Sequence, residues 1–164
     1  MNQIVFINRF FYPDHSATSQ LLTDLAFHLA GQSHRVLVIA SRQRYGDPAS
    51  MLSSRDEVKG VKIQRVWSTR FGRTQLLGRA LDYATFYFVA ATVLLKHVRA
   101  GDIIVAKTDP PLISVVAAMV AKIRRAKLIN WVQDLFPEVA GTLSIEGIGR
   151  LEGLLRLVRN WSLQ

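Results

Sequence analysis

The chain has 164 residues, the size of one domain, and 49% of them are hydrophobic, enough for a single packed core and too many for extended disorder. It contains no cysteine, which excludes a disulfide framework, a thiolate zinc site and a cysteine nucleophile. The formal charge of +9, from 21 basic against 12 acidic side chains, suits nucleic acid, an anionic membrane leaflet or phosphorylated ligands.

Met1-Asn2-Gln3 runs directly into an apolar strand, without the basic start, long apolar stretch and small-residue cleavage site of a signal peptide. A cytoplasmic protein is expected. Residues 4–7 form a short continuous apolar run, the mark of a strand buried on both faces of a parallel sheet. Leu21, Leu22, Leu25, Leu29 and Ala30 then repeat at helical spacing, with Ser16 or Thr18 available as N-cap. Residues 36–40 predict a second buried strand. The polar stretch 41–59 reads as a surface loop. Residues 61–67 alternate more and predict a third strand nearer an edge.

The segment 70–99 is strongly apolar at Phe86, Tyr87, Phe88, Val89, Val93, Leu94 and Leu95, and is flanked by Arg70, Arg73, Arg79, Lys96 and Arg99. It is too short and too interrupted by Asp82 to span a bilayer. It reads either as a buried crossover helix or as an interfacial element that meets the inner face of an anionic membrane. Residues 103–106 and 128–132 predict the fourth and fifth strands. Between them Leu112, Val115, Val116, Met119 and Ile123 mark a helix, with Asp109 as a plausible cap and proline at its first position. Ile148, Leu151, Leu154, Leu155, Val158 and Trp161 make a final apolar helical stripe. That helix either packs back on the sheet or leads into further chain.

Alternating strands and helices imply right-handed βαβ units and an α/β, Rossmann-like, doubly wound, mostly parallel sheet. Ligands of such sheets bind beyond the carboxyl ends of the strands, so the loops that follow the strands carry the candidate chemistry. After the first strand comes Asn8-Arg9-Phe10-Phe11-Tyr12-Pro13-Asp14-His15-Ser16-Ala17-Thr18. This loop lacks the glycines of a dinucleotide fingerprint and the Gly-Lys-Ser/Thr of a P-loop. It offers instead a helix N-terminus of small residues that can hold an anion, or an ordinary capped helix. After the fourth strand comes Lys107-Thr108-Asp109-Pro110-Pro111, and after the fifth Gln133-Asp134-Leu135-Phe136-Pro137-Glu138, whose carboxylates can orient or deprotonate hydroxyls. The four histidines, His15, His28, His34 and His97, show no metal-ligand spacing. No recognisable nucleic-acid motif accompanies the scattered basic residues, so nucleic acid is not an expected partner. Arg9-Phe10-Phe11-Tyr12 supplies neither the phosphate turn nor the acidic cluster that a flavodoxin-like or receiver-like domain needs.

In these three loops the chain resembles the N-terminal domain of family-4 retaining glycosyltransferases of the GT-B fold, of the bacterial type that builds surface polysaccharides and O-antigen units. The resemblance rests on Phe11-Tyr12-Pro13-Asp14 after the opening strand, His34-Arg35-Val36-Leu37-Val38-Ile39, Thr108-Asp109-Pro110-Pro111, and Gln133-Asp134-Leu135-Phe136-Pro137-Glu138. It implies transfer of a sugar from a nucleotide-sugar donor to a glycan or polyprenyl-diphosphate-linked acceptor, with retention and without a bound metal or other cofactor. It further implies that Asp14, His15, Ser16, Ala17 and Thr18 face the donor diphosphate and acceptor, that Thr108 and Asp109 line the cleft, and that Gln133, Asp134 and Glu138 sit near the reacting sugars. Asp134 and Glu138 are the implied catalytic carboxylates. Two positions depart from the family pattern: His15-Ser16-Ala17 replaces a glycine pair, and Gln133-Asp134 stands where some relatives have a histidine. By the same resemblance the acceptor-side domain is expected to continue beyond the last helix, and the donor domain to follow it. A non-catalytic assembly subunit working with a partner chain is the other open reading.

Overall fold

Every strand of the sheet except one carries apolar side chains on both faces, so layers of helix must cover it above and below. The computed structural model describes residues 2–47, 50–71 and 76–133, together with Leu157 and Asn160. Its elements run β1 (Gln3–Ile7), α1 (Ala17–Gly31), β2 (Arg35–Ser41), β3 (Arg55–Val58), β4 (Val61–Val66), α2 (Leu76–His97), β5 (Ile103–Lys107), α3 (Ile113–Arg124) and β6 (Lys127–Trp131). The sheet order is β3-β4-β2-β1-β5-β6, parallel throughout except for the antiparallel β3–β4 pair. The expected Rossmann-like α/β fold is the one observed.

The period-2 rule divides the core between the two faces. Val5, Ile7, Leu37, Ile39, Ile104 and Ala106 point to one side and pack with α2 and α3. Phe6, Val36, Val38, Ala40, Ile63 and Val105 point to the other and pack with α1. At the amino edge, Asp102 closes the structure: its carboxylate accepts the N–H of Gln3 and of Arg99, both at 2.8 Å. Its carbonyl accepts the N–H of Lys127, also at 2.8 Å.

Several sequence-based expectations need correction. Residues 41–59 are not a plain loop, because they contain β3 and a bridge between Gln43 and Met51. β3 is polar and exposed, so no apolar pattern announced it. Its partner β4 is therefore the penultimate strand. Lys59 and Gly60 join the two with φ of 50° and 79° while Val58 pairs with Val61, a two-residue turn with positive φ at both positions. Arg65 on β4 ties this corner down, pairing with Asp56 at 3.4 Å and donating to the carbonyls of Ser53 (3.2 Å) and Tyr12 (2.8 Å).

The helix faces also differ from the expected stripes. α1 buries Ser19, Leu22 and Ala26, and Leu21 is exposed. α3 buries Ile113, Val116, Ala117, Val120 and Ala121, and leaves Met119 and Ile123 outside. Alanines at the contact let the helix lie close to the sheet, which rotates the larger side chains outward. Asp109 is not at the N-cap position of α3, and the prolines are not in its first turn. The helix starts at Ile113 after Leu112 in the left-handed region, and Asp109 contributes its carbonyl to Arg9 across the sheet instead. Leu157, off the expected final stripe, is exposed. The stripe itself lies outside the described residues.

α2 serves the sheet with one face only. Phe86, Ala90 and Leu94, spaced by four, are buried, as is Val98 just past the helix, whereas Leu77 and Phe88 are 79% and 73% exposed. Phe86→Ala is expected to cost about 3–5 kcal/mol of stability in urea denaturation, and Phe88→Ala, two positions on, less than about 0.5 kcal/mol. Equal losses would contradict this orientation of α2.

Candidate functional site

The chain steps outward from β1 through β2 to β4, then returns to place β5 and β6 on the other side of β1. The strand order thus reverses between β1 and β5, and the crevice beyond their carboxyl ends is the ligand position that this topology favours. Arg9, two residues past β1, donates its N–H to the carbonyl of Asp109 at 2.8 Å, and its carbonyl accepts the N–H of Ser41 at 2.8 Å. The N–H of Asn8 goes to the carbonyl of Ile39 at 3.2 Å. The loops after β1 and β5 and the carboxyl end of β2 are therefore joined through main chain.

On the α1 side of the crevice, Asp14 organises the first loop. It is buried, and its two carboxylate oxygens accept the N–H of Ser16 (2.9 Å) and of Tyr45 (2.6 Å), while its carbonyl accepts the Ser19 hydroxyl (3.1 Å). Ser16 occupies the N-cap position of α1 with extended backbone, yet its side chain makes no cap bond, and its Oγ is buried without a partner. Asp14 instead fixes the chain's approach to the helix. His15 is exposed, its carbonyl accepting the Gln20 side chain (2.9 Å), Ala17 is exposed and Thr18 half-buried.

Lys107 ends β5 on this same side, as its register with Val105 requires. It is 1% exposed; its Nζ donates to the Thr18 carbonyl (2.9 Å) and lies 3.9 Å from the centre of the Trp131 ring. Burial pulls its pKa down to about 8, against the opposing pull of Asp109. Thr108 and Asp109 are half-buried and follow directly.

The α2 side of the crevice holds a polar network. Gln43 donates from Nε2 to the Ser68 hydroxyl (3.0 Å) and to the Thr69 carbonyl (2.7 Å), and its Oε1 accepts from Arg9 at 3.4 Å. Thr69 and Phe71 donate their N–H groups to Thr85 (3.1 Å) and Asp82 (3.0 Å) of α2. Tyr87 of α2 donates its hydroxyl to the Pro111 carbonyl. Burial, then Tyr83 and Asp109, push the Tyr87 hydroxyl pKa well above the ordinary tyrosine value, against the pull of Arg9.

The structure thus brings Asp14–Thr18 and Thr108-Asp109 to one crevice. Gln133 stands exposed in a bend just past β6. Asp134 and Glu138 lie outside the described residues. Sequence reasoning passed over Arg9, Gln43, Ser68, Tyr83 and Lys107. Lys107 carried a usable signal, as a lone cation ending the apolar run Ile103-Ile104-Val105-Ala106. Gln43 carried none, being one polar residue in a polar stretch. Among the described residues no three His, Asp or Glu side chains gather as a metal site would require. A groove of about 470 Å³ lies at the opposite edge of the sheet, lined by Gln3, Arg35, Lys62, Lys96, Arg99 and Asp102.

Lys107 sets a pH dependence. The native lysine releases its proton near pH 8 and the unfolded one near 10.5. Between these values the unfolded chain binds more protons, so native stability rises with pH. Tyr87 works in the opposite sense only above about pH 10. Urea denaturation from about pH 8 to 10 is expected to show a rise in stability that Lys107→Met lacks. Equal slopes in the two proteins would contradict this.

Comparison with protein-family models gives no match, and comparison with curated proteins gives none either.

Proposed function

We propose that this chain supplies the acceptor-binding wall of a retaining glycosyltransferase that moves a sugar from a nucleotide-sugar donor to a glycan or lipid-linked glycan. What supports the reading is the Arg9–Asp109 main-chain hydrogen bond at the β1/β5 switch point. It joins the two loops that carry Phe11-Tyr12-Pro13-Asp14 and Thr108-Asp109-Pro110-Pro111, motifs that are far apart in sequence. In this reading Thr108 and Asp109 hydrogen-bond acceptor hydroxyls, and the first turn of α1 offers N–H groups to a phosphate. Asp134 and Glu138 contact or deprotonate the acceptor hydroxyl.

Binding of a short-chain polyprenyl-diphosphate-linked glycan, measured by calorimetry, tests this. Asp109→Asn is expected to weaken binding roughly tenfold, the loss of one charge-assisted hydrogen bond of about 1.5 kcal/mol. Absent binding, or an unchanged affinity in the variant, would contradict the reading.

The outer face of α2 supports a membrane-facing placement of this wall. Leu77, Leu81 and Phe88 form an exposed apolar stripe at spacings of four and seven, with Arg70 and Arg79 exposed nearby. No described helix is long and apolar enough to cross a membrane. The proposed contact is therefore peripheral, with an anionic inner leaflet. The chain is expected to sediment with phosphatidylglycerol vesicles in a salt-sensitive manner, and to lose this when Arg70, Arg73 and Arg79 are changed to Gln. Salt-insensitive sedimentation, or none, would contradict it.

A further inference from the structure

We infer that Arg9 anchors a binding site for a phosphate-type oxyanion on the α2 side of the crevice. The register of β1 carries Arg9 to the same face as Val5 and Ile7, and only 7% of its surface stays accessible. Its guanidinium carbon lies 5.3 Å from the centre of the Phe10 ring and 5.0 Å from that of Tyr83. Nη2 makes one long hydrogen bond, 3.4 Å, to Gln43, and Nε is buried without a partner. No carboxylate among the described residues lies within ion-pair distance of it.

Arg65 shows how this fold otherwise buries a guanidinium. Its Nε is likewise buried without a partner, but a carboxylate and two carbonyl oxygens answer its Nη1 and Nη2. Arg9 has one weak oxygen contact and two aromatic faces. Cation–π contacts stabilise a guanidinium from above and below, but they leave its in-plane donors unanswered, and a buried cation without an anion is costly. The planar fork of an arginine matches the oxygens of phosphate. In the same loop Asn8 Oδ1 and Ser16 Oγ are also buried without a partner. Such atoms are rare in native proteins. A buried guanidinium without a carboxylate at the switch point marks a place prepared for an anionic ligand.

The ligand class is a phosphate ester or diphosphate. That it belongs to the acceptor rests on the glycosyltransferase reading; the binding does not. The test is thermal unfolding of the full chain, followed by circular dichroism, with added inorganic pyrophosphate and no sugar nucleotide. Ligand that binds the native state raises Tm by mass action. Pyrophosphate is expected to raise Tm saturably, Arg9→Gln to abolish the rise, and Arg35→Gln, in the amino-edge groove, to leave it intact. Should Arg9→Gln fail to fold, Arg9→Lys carries the comparison, since it keeps the charge and loses the fork. Pyrophosphate binding about tenfold weaker supports the site, and unchanged binding overturns it. Arg9-dependent binding to phosphatidylglycerol vesicles that pyrophosphate does not displace would identify the oxyanion as a lipid headgroup. Displacement would identify it as a soluble phosphate. A response that survives in Arg9→Gln, one that Arg35→Gln removes, or no Arg9-dependent response to either probe overturns the inference. Glycan-acceptor affinity is measured separately, so either result leaves the other proposal to its own test.

Discussion

The main chain of Arg9 is the point on which the carboxyl edge of the sheet depends. Its N–H reaches the loop after β5 and its carbonyl receives the last residue of β2. Parallel strands leave their terminal peptide groups without ladder partners, and a buried peptide group must find one. Here the loops after β1 and β5 and the end of β2 satisfy one another. The positions of Asp14, Thr108 and Asp109 follow from that closure, because each lies within a few residues of a bonded group.

The two edges of the sheet are built differently. At the amino edge, Asp102 spends both carboxylate oxygens and its carbonyl on backbone N–H groups from β1, the end of the α2 segment and β6. That is a satisfied structural clasp. At the carboxyl edge the first loop contains a buried cation without a carboxylate and polar atoms without partners. A buried guanidinium left without a carboxylate at the topological switch point has the pattern of a binding crevice.

The sheet was legible because parallel strands are apolar on both faces. Residues 4–7, 36–40, 61–67, 103–106 and 128–132 each match an observed strand to within one residue at either end. β3 was hidden, since Arg55-Asp56-Glu57-Val58 is paired on one side and exposed, and its stability comes from the Lys59-Gly60 turn and the Arg65–Asp56 pair. Helix rotation was legible only in part. In α3 the buried face is set by small alanines, which a count of large apolar residues overlooks. The site divides in the same way. Motif order located Asp14–Thr18 and Thr108-Asp109. Arg9 and Gln43 entered only with the coordinates, because their partners, Tyr83 and Ser68, are far along the chain and nothing in local pattern pairs them.

The central claim is that ligand binds at the carboxyl edge, where the β1 and β5 loops meet. Backbone amide chemical shifts of the labelled chain, titrated with a farnesyl-diphosphate-linked glycan, test it most directly. The account predicts saturable shifts in residues 8–18, 43 and 107–112, with the amino-edge residues Gln3, Arg35 and Lys62 unmoved. Shifts centred on that amino-edge groove, with the Arg9 and Asp109 amides unmoved, would contradict it.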